Sequence, residues 1–419
     1  MDIRIFPPED FLEARLCLPL SKSMSARAAI IAALTPGASC PEPMAECDDT
    51  AALLAALRSN ASEINVGASG TAMRFLTAYY AIQPGAAVKL DGSERMRCRP
   101  IGPLVDALRT LGADIEYAGE AGYPPLLIHG KSLPGGKLSI DATISSQYIS
   151  ALLMVAPLME QGLELALTGD PVSLPYIRMT LAMMTECGAD CGFTGPDCIA
   201  VSPKPYSKAV GAIEADWSAA APWYEIESLS AGVVTIDNLA TEGSVQGDSV
   251  LAHIFRRLGV DTTPCGDEGV PELTANPDPD ARMSLDCTEC PDLAQCIAVT
   301  CSMLGTPFRL TGLQTLSIKE TDRIEALRSE LQKIGTCISI PAPGVMEWNG
   351  GRAPVTELPV FDTHGDHRMA LCLAPVAIYL PGIVIKDADV VSKSYPAFWD
   401  DLRDAGFVIE PYEAEEAPQ

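Results

Sequence analysis

Leu108-Arg109-Thr110-Leu111-Gly112-Ala113-Asp114-Ile115 ends an amphipathic helical pattern on a glycine and passes at once into an alternating, strand-like stretch. The same punctuation returns at Met184-Thr185-Glu186-Cys187-Gly188-Ala189-Asp190-Cys191 and at Phe255-Arg256-Arg257-Leu258-Gly259-Val260-Asp261-Thr262. It recurs at Leu331-Gln332-Lys333-Ile334-Gly335-Thr336-Cys337-Ile338 and Leu402-Arg403-Asp404-Ala405-Gly406-Phe407-Val408-Ile409. Successive glycines are 76, 71, 76 and 71 residues apart. A period of that length is too long for a solenoid and fits a duplicated unit that builds domains.

A second kind of helical segment alternates with the first. It is apolar all round, hence expected to be buried, and opens on Ser23, Thr71, Ser145, Ser218, Asp292 or Asp366. These candidate starts lie 48, 74, 73, 74 and 74 residues apart. Six α/β modules follow, each a strand, helix, strand, helix and further strands, three to a domain. Crossovers between the domains are expected at Leu16 to Leu20 and at Glu214-Ala215-Asp216, giving one domain of residues 20–214 and a discontinuous one of 1–19 plus 215–419. If the buried helices pack in parallel, their N-termini gather on one face of each domain, where unpaired N–H groups and helix dipoles favour anions.

Bulk properties narrow the function. A chain of 419 residues exceeds one compact core, and 47% hydrophobic with 20% charged residues describes a well-packed globular protein. No apolar run approaches the roughly 20 residues of a membrane span, and Met1-Asp2-Ile3-Arg4 does not open a signal peptide, so a cytoplasmic location is expected. The net charge of −26 argues against nucleic acid or anionic membrane as partner. The 14 cysteines, Cys296, Cys301 and Cys372 among them, read as small core hydrophobes. Cys287 and Cys290 form a CxxC pair without the second pair or the histidines that a zinc site needs, so no metal is expected. The final Glu413-Ala414-Glu415-Glu416-Ala417-Pro418 reads as a solvated tail.

The few basic residues are concentrated. Lys22, Arg27, Arg74, Arg95, Arg99, Lys319, Arg323, Arg368 and Lys393 lie in or beside short Gly/Ser/Thr-rich stretches, the pattern of a site for small polyanions. Ser317-Ile318-Lys319-Glu320-Thr321-Asp322-Arg323-Ile324 puts a cation, two carboxylates, a hydroxyl and a guanidinium into five consecutive residues ahead of a helix. Thr321 is the expected N-cap there, with Asp322 in the first turn. Leu18-Pro19-Leu20-Ser21-Lys22-Ser23-Met24-Ser25-Ala26-Arg27 does the same at the first buried helix. Taken singly, each of these is equally an ordinary capped helix start.

In order along the chain, LPLSKSMSAR, GASGTAMR, ERMRCRPIGPLVDAL, SSQYISALL, SVQGD, SIKETDRI, GDHRMAL and VVSKSYPAFW resemble the signature blocks of the 5-enolpyruvylshikimate-3-phosphate synthase family. The resemblance spans about residues 4 to 405. It implies the two-domain enolpyruvyl transferase fold of six βαβαββ modules, with substrates in a cleft between the domains. The implied reaction moves the enolpyruvyl group of phosphoenolpyruvate to the 5-hydroxyl of shikimate 3-phosphate by addition and elimination through a tetrahedral intermediate, on the route to chorismate and the aromatic amino acids. No metal or organic cofactor is implied, and a monomer is expected.

Residue by residue, the resemblance assigns Ser23 and Arg27 to the shikimate carboxylate, and Ser145, Ser146 and Ser173, with Tyr176 nearby, to the shikimate phosphate. Arg323 and Arg368 resemble the pair that grips the phosphoenolpyruvate carboxylate. Gly70, Arg99, Gln147 and Lys393 resemble its phosphate end, with Gln147 also reaching shikimate 3-phosphate and Lys22 touching both ligands. Asp292 faces the 5-hydroxyl beside Lys319, while Glu320 and Lys22 surround C3. Lys22, Asp292, Glu320 and Lys393 are thus the expected catalytic set, and a proton-donating Glu320 needs partial burial to offset its cationic neighbours. His367 is expected to be structural.

The family commonly has Asn where this chain has Ala26, Ala68 and Thr315, and Arg where it has Ser317; none of the ionisable residues assigned above is lost. UDP-N-acetylglucosamine enolpyruvyl transferases, the nearest rival, carry Cys or Asp at the position of Glu94, and Ser145-Ser146-Gln147 favours a phosphorylated shikimate. A binder without turnover would not need Lys22, Asp292, Glu320 and Lys393. Closure on binding is expected from two anions meeting cations of both domains, and glyphosate is expected to compete with phosphoenolpyruvate beside Gly70.

Overall fold

Gly112, Gly188, Gly259, Gly335 and Gly406 all take positive φ, between +79° and +102°. At four of them the next N–H reaches the carbonyl five residues back at 2.9–3.0 Å: Ala113 to Leu108, Ala189 to Met184, Thr336 to Leu331 and Phe407 to Leu402. That bond satisfies a carbonyl the helix end would otherwise orphan, and it turns the chain into the next strand.

The structure is a computed structural model in which residues 1–266 and 269–413 are described. All but the first residue of the expected acidic tail lie outside them. The chain runs β1 (Ile3–Phe6), β2 (Glu13–Leu16), α1 (Lys22–Leu34), α2 (Asp48–Arg58), β3 (Glu63–Asn65), α3 (Gly70–Ala81), β4 (Ala87–Asp91), α4 (Glu94–Arg97), α5 (Gly102–Thr110), β5 (Asp114–Tyr117) and β6 (Leu126–His129). It continues through β7 (Gly136–Asp141), α6 (Ser146–Val155), β8 (Leu163–Thr168), α7 (Leu174–Glu186), β9 (Cys191–Gly195), β10 (Cys198–Val201), α8 (Trp217–Ser230), β11 (Val233–Ile236), α9 (Leu251–Arg256), β12 (Val260–Cys265) and β13 (Val270–Ala275). Then come β14 (Met283–Asp286), α10 (Ala294–Leu304), β15 (Phe308–Thr311), α11 (Arg323–Gln332), β16 (Ser339–Ala342), β17 (Val345–Trp348), β18 (Val360–Phe361), α12 (His367–Leu373), β19 (Ile383–Ile385), α13 (Phe398–Asp404) and β20 (Val408–Pro411).

Five four-stranded sheets form among the described residues, in the orders β3-β4-β6-β5, β7-β8-β10-β9, β2-β11-β13-β12, β14-β15-β17-β16 and β18-β19-β1-β20. Each is wired alike: the first two strands are parallel, and the next two pairings are antiparallel. Where the parallel strands are close in sequence, as in β14 and β15, the all-apolar helix makes the crossover between them, as parallel pairing requires. This helix is walled in on every side: α10 is buried from Ala294 to Met303. Its hydroxyls survive burial by bonding back along the helix, Thr300 to the Cys296 carbonyl and Ser302 to that of Ala298, both at 2.7 Å.

Six helix pairs are present, but the sixth expected sheet, beside α1 and α2, is not formed among the described residues. The link between these two helices carries Pro36, Pro41 and Pro43, which remove ladder donors. The strand after α2, β3, pairs with β4 of the following module instead, Ile64 opposite Leu90.

Backbone contacts divide the chain into two units. One contains residues 1–19, 215–244 and the described chain from 248 onward, and the other residues 20–214 with 245–247. Val245 and Gln246 are tied into the latter by Glu214, whose two carboxylate oxygens accept from the Val245 N–H at 3.1 Å and from Gln246 Nε2 at 2.9 Å. Each unit has its own core, built around Trp217, Trp223 and Phe255 in the discontinuous unit and around Phe75, Tyr148 and Leu152 in the other.

Candidate active site

In the 20–214 unit the polar residues singled out by the sequence gather at the N-terminal ends of α1, α3, α6 and α7. Side-chain caps hold three of these ends: Ser21 accepts from the Met24 N–H at 3.5 Å, Ser69 from Ala72 at 3.3 Å and Ser145 from Gln147 at 3.3 Å. At the fourth, Ser173 has left-handed backbone with φ +55°, a strained position for a residue with a Cβ, and Pro175 follows in the first turn. Arg27, 2% exposed, joins three helices. Its Nε donates to Thr180 Oγ1 at 2.7 Å, Nη1 to the Ser23 carbonyl at 2.8 Å, and Nη2 to Ser150 Oγ at 3.1 Å and the Tyr176 carbonyl at 3.3 Å. Burial lowers its pKa to about 10, which leaves it charged at neutral pH.

Gln147 Nε2 donates to Thr71 Oγ1 at 3.1 Å, which brings the α6 and α3 ends together. Arg99 lies flat against Gly70: a Cβ there would fall 2.7 and 2.9 Å from its two terminal nitrogens. Arg74 braces the same turn, donating to the carbonyls of Gly70 at 3.2 Å and Pro100 at 3.0 Å. Lys22 Nζ is 3.1 Å from Asp49 on α2. Ser23, Arg27, Ser150 and Tyr176 therefore form one polar group, and Gly70, Thr71, Arg99 and Gln147 a second.

In the discontinuous unit the centre is Arg323, 2% exposed at the start of α11. Its Nε and Nη2 take Asp366 at 2.6 and 3.1 Å, Nη2 also takes Glu320 at 3.1 Å, and Nη1 takes Asp292 at 2.8 Å. Asp292 in turn meets Lys319 at 3.3 Å and Arg368 at 3.3 Å. Glu320 gives its other oxygen to Lys393 at 2.7 Å. Burial pushes the Asp292 carboxyl up, but Arg368, Lys319 and Arg323 outweigh burial and hold it well below the usual carboxylate range. Burial also pulls Lys319 down, with Asp292 opposing. Arg323 moves up, because Asp366, Glu320 and Asp292 overcome its desolvation.

Several helix starts shift from expectation. Asp322, not Thr321, caps α11, accepting from the N–H groups of Ile324 and Glu325, both at 3.2 Å. One oxygen, Oδ1, satisfies both of these orphan donors. Ser23, Thr71 and Ser218 are second helical residues behind the true caps Ser21, Ser69 and Asp216. Asp292 sits in a short 3-10 turn, Pro291–Leu293, ahead of α10. Ser145 and Asp366 do cap their helices. His367 is 3% exposed, packed beside Asp366. Sequence reasoning missed Asp49, Thr71 as a partner of Gln147, Asp366 as the anchor of Arg323, and Ser218. Their roles depend on pairings 27 to 150 residues apart that no local pattern encodes.

Among the described residues, no cluster of three or more His, Cys, Asp or Glu side chains is arranged to hold a metal ion. No helix there is long and apolar enough to cross a membrane. Cys287 and Cys290 are buried, with the Cys290 N–H donating to the Cys287 carbonyl at 3.0 Å.

This architecture is that of the enolpyruvyl transferases. The chain superimposes on EPSP synthase from Acinetobacter baumannii with a TM-score of 0.74 at 21% identity, covering 98% of this chain and all of that one. For the enolpyruvyl transferase NikO from Streptomyces tendae the score is 0.72 at 15% identity, covering 98% of each. Sequence then narrows the class. The profile of EPSP synthase (3-phosphoshikimate 1-carboxyvinyltransferase) matches residues 59–402, and the chain belongs to that family. A 3-phosphoshikimate 1-carboxyvinyltransferase of Bacteroides fragilis is 47% identical over 399 residues, 95% of this chain and 96% of the relative. One from Methanospirillum hungatei is 34% identical, covering 92% and 94%.

Proposed function

We propose a division of labour among these residues for the 3-phosphoshikimate 1-carboxyvinyltransferase reaction that this chain carries out. Phosphoenolpyruvate and shikimate 3-phosphate give 5-enolpyruvylshikimate 3-phosphate and phosphate. In the 20–214 unit, Ser23 and Arg27 take the shikimate carboxylate. Ser145, Ser146 and Ser173, with Gln147 and Tyr176, take the shikimate phosphate, where hydroxyls add donors without adding charge. Gly70 and Arg99, again with Gln147, take the phosphoenolpyruvate phosphate, and Lys22 reaches the reacting atoms.

In the discontinuous unit, Arg323 and Arg368 take the phosphoenolpyruvate carboxylate and Lys393 its phosphate. Asp292, beside Lys319, accepts the proton of the 5-hydroxyl as that oxygen attacks C2, while a proton from Glu320 or Lys22 arrives at C3. The tetrahedral adduct then expels phosphate as the C3 proton returns, restoring the alkene. Asp292 is a weak base while three cations hold it. Engagement of the arginines by the substrate carboxylate removes part of that field and raises its basicity at the moment it is needed.

The observation that best supports this reading is the meeting of Asp292 with Lys319, Arg323 and Arg368 at 2.8–3.3 Å, on elements up to 76 residues apart. We take the chain to act as a monomer in the cytoplasm, without nucleic-acid or membrane partners; light scattering across a dilution series tests the first point. The decisive experiment follows phosphate release from phosphoenolpyruvate with shikimate 3-phosphate and, in parallel, with UDP-N-acetylglucosamine. Release with the shikimate alone is expected. Release with neither overturns the assignment of turnover.

A further inference from the structure

The SVQGD block has no part in the roles above, yet it ends in a buried carboxylate behind the arginine pair. Asp248 is 3% exposed, and its Oδ2 accepts a hydrogen bond from Ser218 Oγ. Ser218 Oγ accepts in turn from Arg368 Nη2 at 3.2 Å, and the same guanidinium donates to the Asp292 carbonyl at 3.2 Å and its carboxylate at 3.3 Å. A serine hydroxyl has one hydrogen. Given to Asp248, that hydrogen leaves the oxygen lone pairs turned to Arg368.

We propose that Asp248 is a positioning residue for phosphoenolpyruvate: through Ser218 it fixes the face that Arg368 presents to the substrate carboxylate. The proposal rests on the reading that Arg368 binds that carboxylate. The groups facing Asp248 are Arg368 from α12, Asp292 from the turn before α10, Ser218 and Asp216 from the start of α8, and the Cys290 thiol. Burial pushes the Asp248 carboxyl up to about 6; Arg368 and Ser218 oppose this, and Asp292 and Asp216 reinforce it. Ionised at neutral pH, Asp248 accepts the hydrogen bond of the serine hydroxyl. Protonated at lower pH, it competes with Arg368 for the serine lone pairs, and the alignment is lost.

The test is the KM for phosphoenolpyruvate at saturating shikimate 3-phosphate, from pH 5.5 to 8, for the wild type, Asp248→Asn, Ser218→Ala, the double variant and Arg368→Lys. Asp248→Asn and Ser218→Ala are each expected to raise this KM roughly tenfold, the scale of a lost hydrogen bond to a charged group, with a smaller fall in kcat. The double variant should be no worse than either single one. The ratio of variant to wild-type KM should shrink toward one below about pH 6, where wild-type Asp248 is itself protonated. Taking the ratio cancels the substrates' own phosphates, which ionise in the same range.

An unchanged KM in folded variants, additive losses in the double variant, or a ratio independent of pH overturns the proposal. Thermal melting reports folding, and Ser218→Ala, which cuts the same link, decides the matter if Asp248→Asn does not fold. Arg368→Lys separates the two failures. If it leaves the KM unchanged, the carboxylate reading is wrong and the proposal falls with it; if it raises the KM while the other two do not, only the positioning role of Asp248 is wrong.

Discussion

Arg323 and Asp366 form a two-point ion pair in the interior, Nε to Oδ2 at 2.6 Å and Nη2 to Oδ1 at 3.1 Å, with side-chain exposures of 2% and 0%. Asp366 simultaneously caps α12 by accepting from the Arg368 N–H at 2.9 Å. One carboxylate thus holds the two arginines proposed for the phosphoenolpyruvate carboxylate. Asp366→Ala strands a buried guanidinium and removes a cap, a loss of about 3–5 kcal/mol in urea unfolding with a raised KM for phosphoenolpyruvate. A stability loss under about 1 kcal/mol would show that Glu320 and Asp292 suffice to hold Arg323.

Asp292 occupies the guanidinium groups of both Arg323 and Arg368, at 2.8 and 3.3 Å. In the proposed reading it competes with the substrate's own carboxylate for them. Asp292→Asn should therefore bind phosphoenolpyruvate more tightly in a titration without shikimate 3-phosphate, by roughly three- to tenfold, about 1 kcal/mol of relieved competition between two carboxylates for the same guanidinium groups. Turnover should fall by at least about a hundredfold, since the proposed base is gone. Weaker phosphoenolpyruvate binding in this variant would mean that Asp292 does not compete for the arginines.

The module period was legible because helix-closing glycines are local: Gly112, Gly188, Gly259, Gly335 and Gly406 act through their own φ and the residue that follows. Motifs at helix starts were enough to single out Asp292, Lys319, Glu320, Arg323, Arg368 and Lys393, which the structure brings into one ion-pair network. The partner of each was not legible. Arg323 reads as a ligand-gripping fork in SIKETDRI, yet its Nε and one edge are committed to Asp366 on another helix. The count of sheets also failed locally, because the proline-rich link after α1 forms no ladder and β3 joins its neighbour's sheet. Capping was off by two residues at α1, α3 and α8, since a polar side chain two positions earlier reaches the same N–H groups.

Gly70 is constrained by its neighbour Arg99, independently of its proposed part in binding phosphate. Its missing Cβ would lie 2.7 Å from Arg99 Nη1, so Gly70→Ala must push the guanidinium away from the α3 N-terminus. The KM for phosphoenolpyruvate should rise about tenfold or more, with a smaller change for shikimate 3-phosphate, because a displacement of about 1 Å misaligns the proposed phosphate donor. Inhibition by glyphosate, expected to compete at the same end, should weaken in parallel. Equal losses for both substrates would place the damage outside the phosphoenolpyruvate phosphate.

Glu225, on the buried helix α8, has both carboxylate oxygens enclosed in the core beside the Cys296 thiol. The groups it interacts with electrostatically are the thiols of Cys296, Cys301 and Cys372, from α10 and α12. Burial raises its pKa well above the ordinary value, the Cys296 thiol opposing. The folded state therefore holds a proton that the unfolded state gives up near pH 4.5. The stabilisation is full below that value and is lost as pH rises toward the folded pKa, at roughly 1.4 kcal/mol per pH unit crossed. Glu225→Gln keeps the shape and has no proton to lose. Its melting temperature should equal that of the wild type near pH 4 and exceed it increasingly from pH 5 to 8. A gap that stays constant with pH would mean that Glu225 is ionised in the folded core, which only a cation or water reaching its oxygens could sustain.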